Sequence, residues 1–385
     1  MYPFLLKVWL ASHKIYIRTV WLLCALLPVD DKKIVFSNFN GGAFGDNPGY
    51  IAKEIMRRKA GFQIIWVSGS VQNDASCPRR VKTVRPNSAA FVFHMSTSHF
   101  WVSNTRMLFY HKKKKGQIYI YTGHGGPGMK KIEKDAGSSL TPEYIAMAKK
   151  DSRLIDLFLS NSAFRTKSIR SGYWYDGPIM EKGIPKNDLY FGNVGGIRKK
   201  IRKFYGLPVD ARIVIYVPTW RQDRKANFYH LDFSRVLEAF TARFGGDWYM
   251  LMSMHPNLNE KDFAIQYSDR VKNATTYPAF QEIMTAGDAI ITDYSSCGFE
   301  YMQIDRPAFM YAEDYEQMKH DRGFYIDIDE LPCPAAFTNE ELVKCILEFS
   351  EEEYERRRKP FMEKMGFFDD GHASEAVADY IMEKM

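Results

Sequence analysis

Three short segments with chemically active side chains follow apolar runs in the sequence. They are Thr122-Gly123-His124-Gly125, His255-Pro256 and Thr292-Asp293-Tyr294-Ser295-Ser296. Each lies where a loop would leave the carboxyl end of a strand, which is where open α/β sheets bind ligands. Two histidines and a hydroxyl-rich turn point to chemistry on a phosphorylated substrate. Because the histidines lack metal-site spacing, we expect them to transfer protons or bind phosphate.

His124 lies in the glycine-rich run Gly123 to Gly128, directly after the apolar run Ile118 to Tyr121. The glycines allow close approach of the backbone to a ligand and leave the imidazole free, as a general base in a cleft requires. The alternative is a tight turn whose histidine caps the next helix. Lys130 and Lys131 follow, and they either meet an anionic substrate or form a solvated surface.

Two further segments offer groups for phosphate. His255 ends an apolar run and is held by Pro256, which suits a phosphate ligand or a proton donor. Thr219 and Arg221 follow another apolar run, and an arginine can fork onto two phosphate oxygens. Taken singly, each of these residues is as readily explained by a structural role.

The third segment, Asp293 to Glu300, opens a predicted helix. Hydroxyls and free N–H groups at a helix start attract phosphate through hydrogen bonds and the helix dipole. N-capping by Ser295 or Ser296 is the alternative, but it does not explain Glu300. A carboxylate one turn into such a helix can reach ribose hydroxyls.

The elements around these segments alternate in the βαβ manner. Strands are predicted at 34–39, 64–67, 100–102, 118–121 and 157–159, then at 213–217, 249–252, 289–292 and 308–311. Helices are predicted between them, one of them capped by Asn47 ahead of Pro48. The fold class is therefore α/β with two Rossmann-like domains facing a cleft.

The length and composition agree with a two-domain globular protein. The chain has 385 residues, of which 45% are hydrophobic and 26% charged, and five scattered cysteines without CxxC pairing. This pattern argues against a disulfide framework and a zinc site. The net charge of +7 allows an anionic partner. The aromatic residues lie inside apolar runs, so nucleic acid is not expected as a partner.

The first thirty residues mix apolar and aromatic side chains with Lys7, Lys14 and Arg18. The uninterrupted apolar part, Thr19 to Val29, is too short to span a bilayer. An amphipathic helix lying on the membrane is one interpretation, and a helix packed on the protein's own core is the other. The lysine run 112–115 would face anionic lipid or form a solvated loop.

Several motifs occur together in a familiar order. They are 37–50 with Asp46-Asn47-Pro48, the His124 turn, Pro218-Thr219-Trp220-Arg221, His255-Pro256, Thr292 to Ser296, and Arg322-Gly323-Phe324. In order and spacing, from about Lys33 to the C-terminus, the chain resembles the CDP-glycerol glycerophosphotransferase family of teichoic acid synthesis. The glycine-rich turn after His124 and Glu300, where many relatives carry Asp, depart from the family pattern.

The resemblance implies a GT-B-like fold without metal or other cofactor, with CDP-glycerol bound mainly by the C-terminal domain. His124 would be the general base, and His255 would stabilise the pyrophosphate or protonate the leaving phosphate. The implied donor-binding residues are Thr219, Arg221, Asp293, Ser295, Ser296 and Glu300. The implied acceptor-binding residues are Asp46, Asn47, Lys130 and Lys131.

These observations divide the chain into four parts. Residues 1–30 would associate with the membrane, 31–195 form the acceptor domain, 196–365 form the nucleotide-donor domain, and 366–385 form a helix that can cross back to the acceptor domain. The expected reaction is glycerol phosphate transfer from CDP-glycerol to a lipid-linked saccharide or polymer at the cytoplasmic face of the membrane, releasing CMP, in teichoic acid or capsule synthesis. A CDP-ribitol or other nucleotide donor is the first alternative, and a non-catalytic nucleotide-binding scaffold is the second.

Overall fold

The chain folds around two separate parallel β-sheets. The computed structural model describes residues 3–107, 113–219, 231–254 and 267–385, with the backbone alone for residues 3–11, 138 and 139. The first sheet has seven strands in the order β3-β2-β1-β4-β5-β6-β7, and the second has six in the order β10-β9-β8-β11-β12-β13. We call the parts built on them the first lobe and the second lobe. Two α/β lobes confirm the predicted fold class.

The strands are short and mostly buried. Those of the first sheet are β1 (Asp30–Ser37), β2 (Gln63–Val67), β3 (Lys82–Val84), β4 (Ser98–Ser103), β5 (Ile118–Tyr121), β6 (Leu157–Ser160) and β7 (Ile179–Glu181). Those of the second sheet are β8 (Arg212–Val217), β9 (Trp248–Met252), β10 (Val271–Asn273), β11 (Ala289–Thr292), β12 (Ala308–Tyr311) and β13 (Ala335–Ala336).

Helices lie between most of these strands in the chain. The helices up to the end of the first lobe are α1 (Pro3–Cys24), α2 (Asp46–Arg57), α3 (Val71–Ala75), α4 (Ala89–Thr97), α5 (Pro142–Ser152) and α6 (Ala163–Gly172). The remaining helices are α7 (Val194–Tyr205), α8 (Phe233–Phe244), α9 (Phe280–Ala286), α10 (Ser296–Tyr301), α11 (Tyr315–Arg322), α12 (Asn339–Leu347), α13 (Glu351–Met365) and α14 (Ala373–Glu383).

The sequence predicts the inner strands well but misses four outer ones. Each predicted strand corresponds to an observed strand, and 118–121, 289–292 and 308–311 agree at both ends. The missed strands β3, β7, β10 and β13 are the outermost strands of their sheets. They have only two or three residues and are partly exposed, so they carry no apolar run.

The last helix belongs to the first lobe. Val377, Ala378 and Ile381 of α14 are buried in the same apolar cluster as residues of β1 and α2. The chain reaches this position through a short segment that bonds to the first lobe, where Ala163 N–H donates to the Gly366 carbonyl at 2.8 Å and Phe368 N–H donates to the Asn161 carbonyl at 2.8 Å. The polypeptide therefore crosses between the lobes twice.

The N-terminal helix α1 is partly attached to the first lobe. Trp21 and Cys24 are buried against the core, whereas Leu22, Leu23 and Leu26 are exposed. Lys114 of the lysine run donates to the carbonyls of Cys24, the last residue of this helix, and of Leu27, which follows it. In the part of the chain that the structure describes, no helix has the length and apolar character needed to cross a membrane.

Candidate active site

His124 stands on a turn at the carboxyl end of β5. The preceding Gly123 adopts a φ of 63°, a conformation that glycine reaches without strain. The ring of His124 is accessible to solvent, and the next helical segment, Glu133–Ser139, begins far beyond it without a side-chain cap. His124 therefore does not serve as a helix cap.

One hydrogen bond fixes the tautomer of His124. Its Nδ1 lies 3.2 Å from the carbonyl oxygen of Asn104, at the end of the neighbouring strand β4. Because a carbonyl only accepts, Nδ1 carries the proton and Nε2 is left with a lone pair. Nε2 is the atom that a general base would use.

The charges around His124 favour the neutral ring. Although His124 reaches solvent, desolvation by the protein packed around it lowers its pKa below the ordinary value, and the positive charges of Lys186 and Arg165 act in the same direction. Asp46 and the bond to Asn104 oppose this shift without reversing it. A histidine that is neutral near pH 7 can accept a proton.

Buried polar groups hold the His124 turn in place. The Asn47 side-chain amide donates to the Gly123 carbonyl at 2.8 Å and accepts from Lys186 N–H at 3.0 Å. The Lys186 ammonium donates to the His124 carbonyl at 2.9 Å. The predicted capping role of Asn47 is wrong: α2 begins at Asp46 and its cap position is Gly45. The side chain of Asn47 instead reaches across to this turn.

Glu300 of the second lobe closes against the same turn. Its carboxylate is 1% exposed, accepts from Gly126 N–H at 2.9 Å and lies 3.1 Å from the Lys186 ammonium. Burial alone would lower the pKa of Lys186, but the attraction of Glu300 and Asp46 raises it above its ordinary value. The structure thus gives Glu300 partners within the protein, and its predicted contact with ribose stays a prediction.

The glycines of the turn let the two lobes approach each other. A Cβ atom added to Gly125 would collide with the hydroxyl of Ser296, and one added to Gly126 would lie 2.8 Å from the side-chain amide nitrogen of Asn161. The sequence predicts that these glycines allow a ligand to approach the backbone closely. Part of the reason for them is the contact between the turn and α10.

A short antiparallel pairing continues this contact. Lys131 N–H donates to the Gly323 carbonyl at 3.0 Å, and Tyr325 N–H donates to the Met129 carbonyl at 2.7 Å. Lys130 and Phe324 form the bridge between them. Lys130 and Lys131 therefore lie beside the cleft, where their predicted binding of an acceptor stays a prediction.

The second lobe supplies its own polar turn at the carboxyl ends of β8 and β11. The Asp293 carboxylate accepts from the backbone N–H of Thr219 at 2.9 and 3.0 Å and from its hydroxyl. Ser295 caps α10 by accepting from Cys297 N–H at 3.5 Å. Capping, offered as the alternative for this serine, is thus observed, and the hydroxyl of Ser296 faces the first lobe across Gly125.

The structure brings together most of the predicted site residues that it describes. Asp46 follows β1, and its carboxylate accepts from the Asn104 side-chain amide at 3.1 Å, next to His124. His255 and Arg221 lie outside the described residues. In the ranges that the structure does describe, no group of three or more His, Cys, Asp or Glu side chains could hold a metal ion.

Four residues near His124 are not among the site residues predicted from the sequence. Asn104 and Lys186 bond to it or to its carbonyl, Arg165 influences its charge, and the ring of Phe39 lies 5.3 Å from its ring. Phe39 has a φ of 43°, which is uncommon for a residue with a side chain and often marks a functional site. Only the position of Asn104 after an apolar run offered a signal.

Known proteins with similar sequences are named for steps of teichoic acid synthesis. A family model described as CDP-glycerol:poly(glycerophosphate) glycerophosphotransferase matches residues 19–383. The chain is 29% identical over 367 residues to a teichoic acid poly(glycerol phosphate) polymerase of Staphylococcus epidermidis, covering 92% of this chain and 51% of that protein. It spans about half the length of that relative. A teichoic acid glycerol-phosphate transferase of Staphylococcus aureus is 27% identical over 396 residues, with 97% of this chain and 98% of that protein covered.

The fold is shared as well. A solved structure of the wall teichoic acid polymerase TagF, in a variant soaked with CDPG, superposes with a TM-score of 0.84 at 27% identity, covering 98% of this chain and 95% of that one. The family match extends over nearly the whole chain and includes both lobes and the His124 turn. The chain therefore belongs to the CDP-glycerol:poly(glycerophosphate) glycerophosphotransferase family.

Proposed function

We propose that this protein transfers glycerol phosphate from CDP-glycerol to a hydroxyl group of a lipid-linked saccharide or polymer, releasing CMP. Family membership supports a transferase of teichoic acid synthesis. The observation that carries the finer proposal is the solvent-accessible His124, whose Nδ1 is bonded to the Asn104 carbonyl and whose Nε2 is free to take a proton. An acceptor hydroxyl is the group that such a base activates.

In the proposed reaction, the acceptor oxygen attacks the phosphorus that carries the glycerol. The bond between this phosphorus and the bridging oxygen breaks, and CMP leaves with that oxygen. His124 takes the proton of the acceptor hydroxyl. Phosphoryl transfer depends mainly on positioning and on stabilising charge. The Thr219 turn lies at the carboxyl end of β8 and the start of α10 follows β11, and we expect both to hold the donor phosphates.

The decisive measurement is CMP release by the purified protein. CDP-glycerol and CDP-ribitol are each supplied with a lipid-linked disaccharide and with the same acceptor carrying one glycerol phosphate. We expect release with CDP-glycerol. Release with CDP-ribitol alone would replace the donor, and no release with any combination, while the protein still binds CDP-glycerol, would favour the scaffold alternative.

We propose further that α1 rests on the cytoplasmic face of the membrane. The exposed Leu22 and Leu23 of α1, and Leu26 just beyond its end, would enter the interface, and the exposed Lys14 and Arg18 would meet anionic lipid. Trp21 and Cys24 hold the end of the helix on the first lobe. The same helix would then both contact the membrane and pack on the first lobe, which are the two interpretations offered by the sequence.

Sedimentation with anionic vesicles tests this arrangement. The double variant Leu22→Gln/Leu23→Gln should bind vesicles less tightly while keeping the circular dichroism and CMP release of the parent. Leu347→Gln, an exposed leucine of α12, is the matched control. Unchanged binding by the double variant would contradict the proposal.

A further inference from the structure

Arg165 is a buried arginine beside the site, and among the described residues it has no acidic partner. It lies in the first turn of α6 and is 7% exposed. Its guanidinium donates to the Tyr173 hydroxyl at 3.2 Å and lies 5.2 Å from the centre of the Tyr173 ring. Among the residues that the structure describes, no carboxylate lies within ion-pair distance of it.

Two other buried cations of the first lobe, Arg106 and Lys186, have carboxylate partners. Arg106 pairs with Glu133 and lies 3.1 Å from Asp151, and Lys186 pairs with Glu300. A charge taken out of water is costly unless an opposite charge or several hydrogen bonds compensate it. A guanidinium has five N–H donors, and the described residues provide one side-chain acceptor for them. Arg165 therefore has the capacity for an anion.

The position of Arg165 connects it with the reacting groups. An Nη2 nitrogen lies 3.4 Å from the place where a Cβ atom of Gly123 would be, directly before His124. The neighbouring Phe164 packs against Tyr325 of the second lobe, with ring centres 5.9 Å apart. The guanidinium thus lies under the His124 turn at the boundary between the lobes.

We propose that Arg165 is a binding residue for a substrate phosphate next to His124. Guanidinium and phosphate form charge-assisted hydrogen bonds in a forked geometry, and Arg is preferred over Lys for such contacts. This inference rests on the proposed function, which supplies two phosphate sources. One is the phosphate transferred from the donor, and the other is a glycerol phosphate already present on the acceptor.

Steady-state kinetics of Arg165→Gln distinguish these sources. We expect the KM of one substrate to rise about 10- to 100-fold, the loss typical of a hydrogen bond to a charged group. A rise only for the glycerol-phosphate-carrying acceptor assigns Arg165 to the acceptor. A rise for CDP-glycerol with either acceptor assigns it to the donor. Arg165→Lys keeps the positive charge but loses the forked hydrogen-bond geometry of the guanidinium, so its KM should rise less than that of Arg165→Gln.

Arg170→Gln is the matched control. Arg170 lies on the same helix and also stacks over a tyrosine, Tyr175, but it is exposed and bonds to the Gly177 carbonyl. It should leave every KM unchanged. The proposal is overturned if Arg165→Gln and Arg165→Lys leave the KM values unchanged, or lower kcat equally with all substrates, as a purely structural role would.

A binding measurement separates this inference from the proposed function. Inorganic phosphate, at constant ionic strength, should raise the melting temperature of the parent protein and not that of Arg165→Gln. If the parent releases no CMP but shows this difference, the proposed function fails and the phosphate site stands. If parent and variant respond equally to phosphate, the site fails.

Discussion

The two lobes use the same point of their sheets in different ways. In each sheet the strand order reverses between two neighbouring strands, β1 and β4 in the first and β8 and β11 in the second. In the first lobe the Asn104 side chain bonds to Asn38 across this point at 2.7 Å, and its carbonyl holds an accessible His124. In the second lobe Asp293 bonds to Thr219 across this point and is itself buried.

In the first lobe a side chain faces the cleft, whereas in the second lobe the described polar side chains mainly stabilise the protein. The first lobe presents one ring to the cleft and uses backbone and buried amides to hold it. The described polar side chains of the second lobe largely bond to protein: Ser295 caps a helix and Glu300 closes on the His124 turn. Similar topology therefore does not imply similar use of the loops.

The largest expected effect is loss of the reacting group in the first lobe. His124→Ala should lower kcat for CMP release by about 10²- to 10⁴-fold, the usual contribution of a general base. Because the ring is accessible and makes one hydrogen bond, the melting temperature should change little. His320→Ala, an exposed histidine of α11, is the control. Retained turnover in His124→Ala would show that another group takes the proton.

The next largest effect is expected from removing the buried ion pair between the lobes, Lys186 with Glu300. Lys186→Met leaves the Glu300 carboxylate buried without its partner, which should lower the free energy of unfolding by about 3–5 kcal/mol in urea titrations. Adding Glu300→Gln should recover part of the loss. Lys200→Met, which removes an exposed ion pair with Glu282, should cost less than about 1 kcal/mol. Equal losses in both single variants would contradict the buried pair's role.

A smaller effect tests whether Ser295 binds the donor in addition to capping α10. Ser295→Ala removes the cap of α10 and should lower the free energy of unfolding by about 1 kcal/mol. If the hydroxyl also binds a donor phosphate, the KM for CDP-glycerol rises as well. Thr338→Ala removes the cap of α12, away from the site, and should reproduce only the stability loss. An unchanged KM in Ser295→Ala would limit Ser295 to capping.

The smallest effect concerns the charge of the base. The negative charge of Asp46 raises the pKa of His124, so Asp46→Asn should lower that pKa further. His124 acts as a base when neutral, so the acidic limb of the pH profile of kcat/KM should lie below about pH 6.5 and move to lower pH in the variant. Movement to higher pH would show that Asp46 does not act through this histidine.

Local sequence patterns predicted the inner strands and the catalytic candidate, and long-range contacts account for what was missed. Residues of β11 form an unbroken apolar run because both faces of the strand are buried, and His124 is flagged by its glycines. Lys186 gives no such signal, because its role comes from packing against Asn47 and Glu300, which are more than a hundred residues away in the sequence. Asn47 was assigned to a helix cap on its neighbours alone, and a tertiary contact overrides that assignment.

The return of α14 to the first lobe also affects how the protein is made. Val377 and Ile381 complete the apolar cluster to which β1 contributes, although β1 leaves the ribosome more than three hundred residues earlier. During synthesis part of the first lobe's core stays open until α14 has been made, whereas every strand of the second lobe precedes α14 in the chain. The lobe that carries His124 is therefore expected to be the last to become complete.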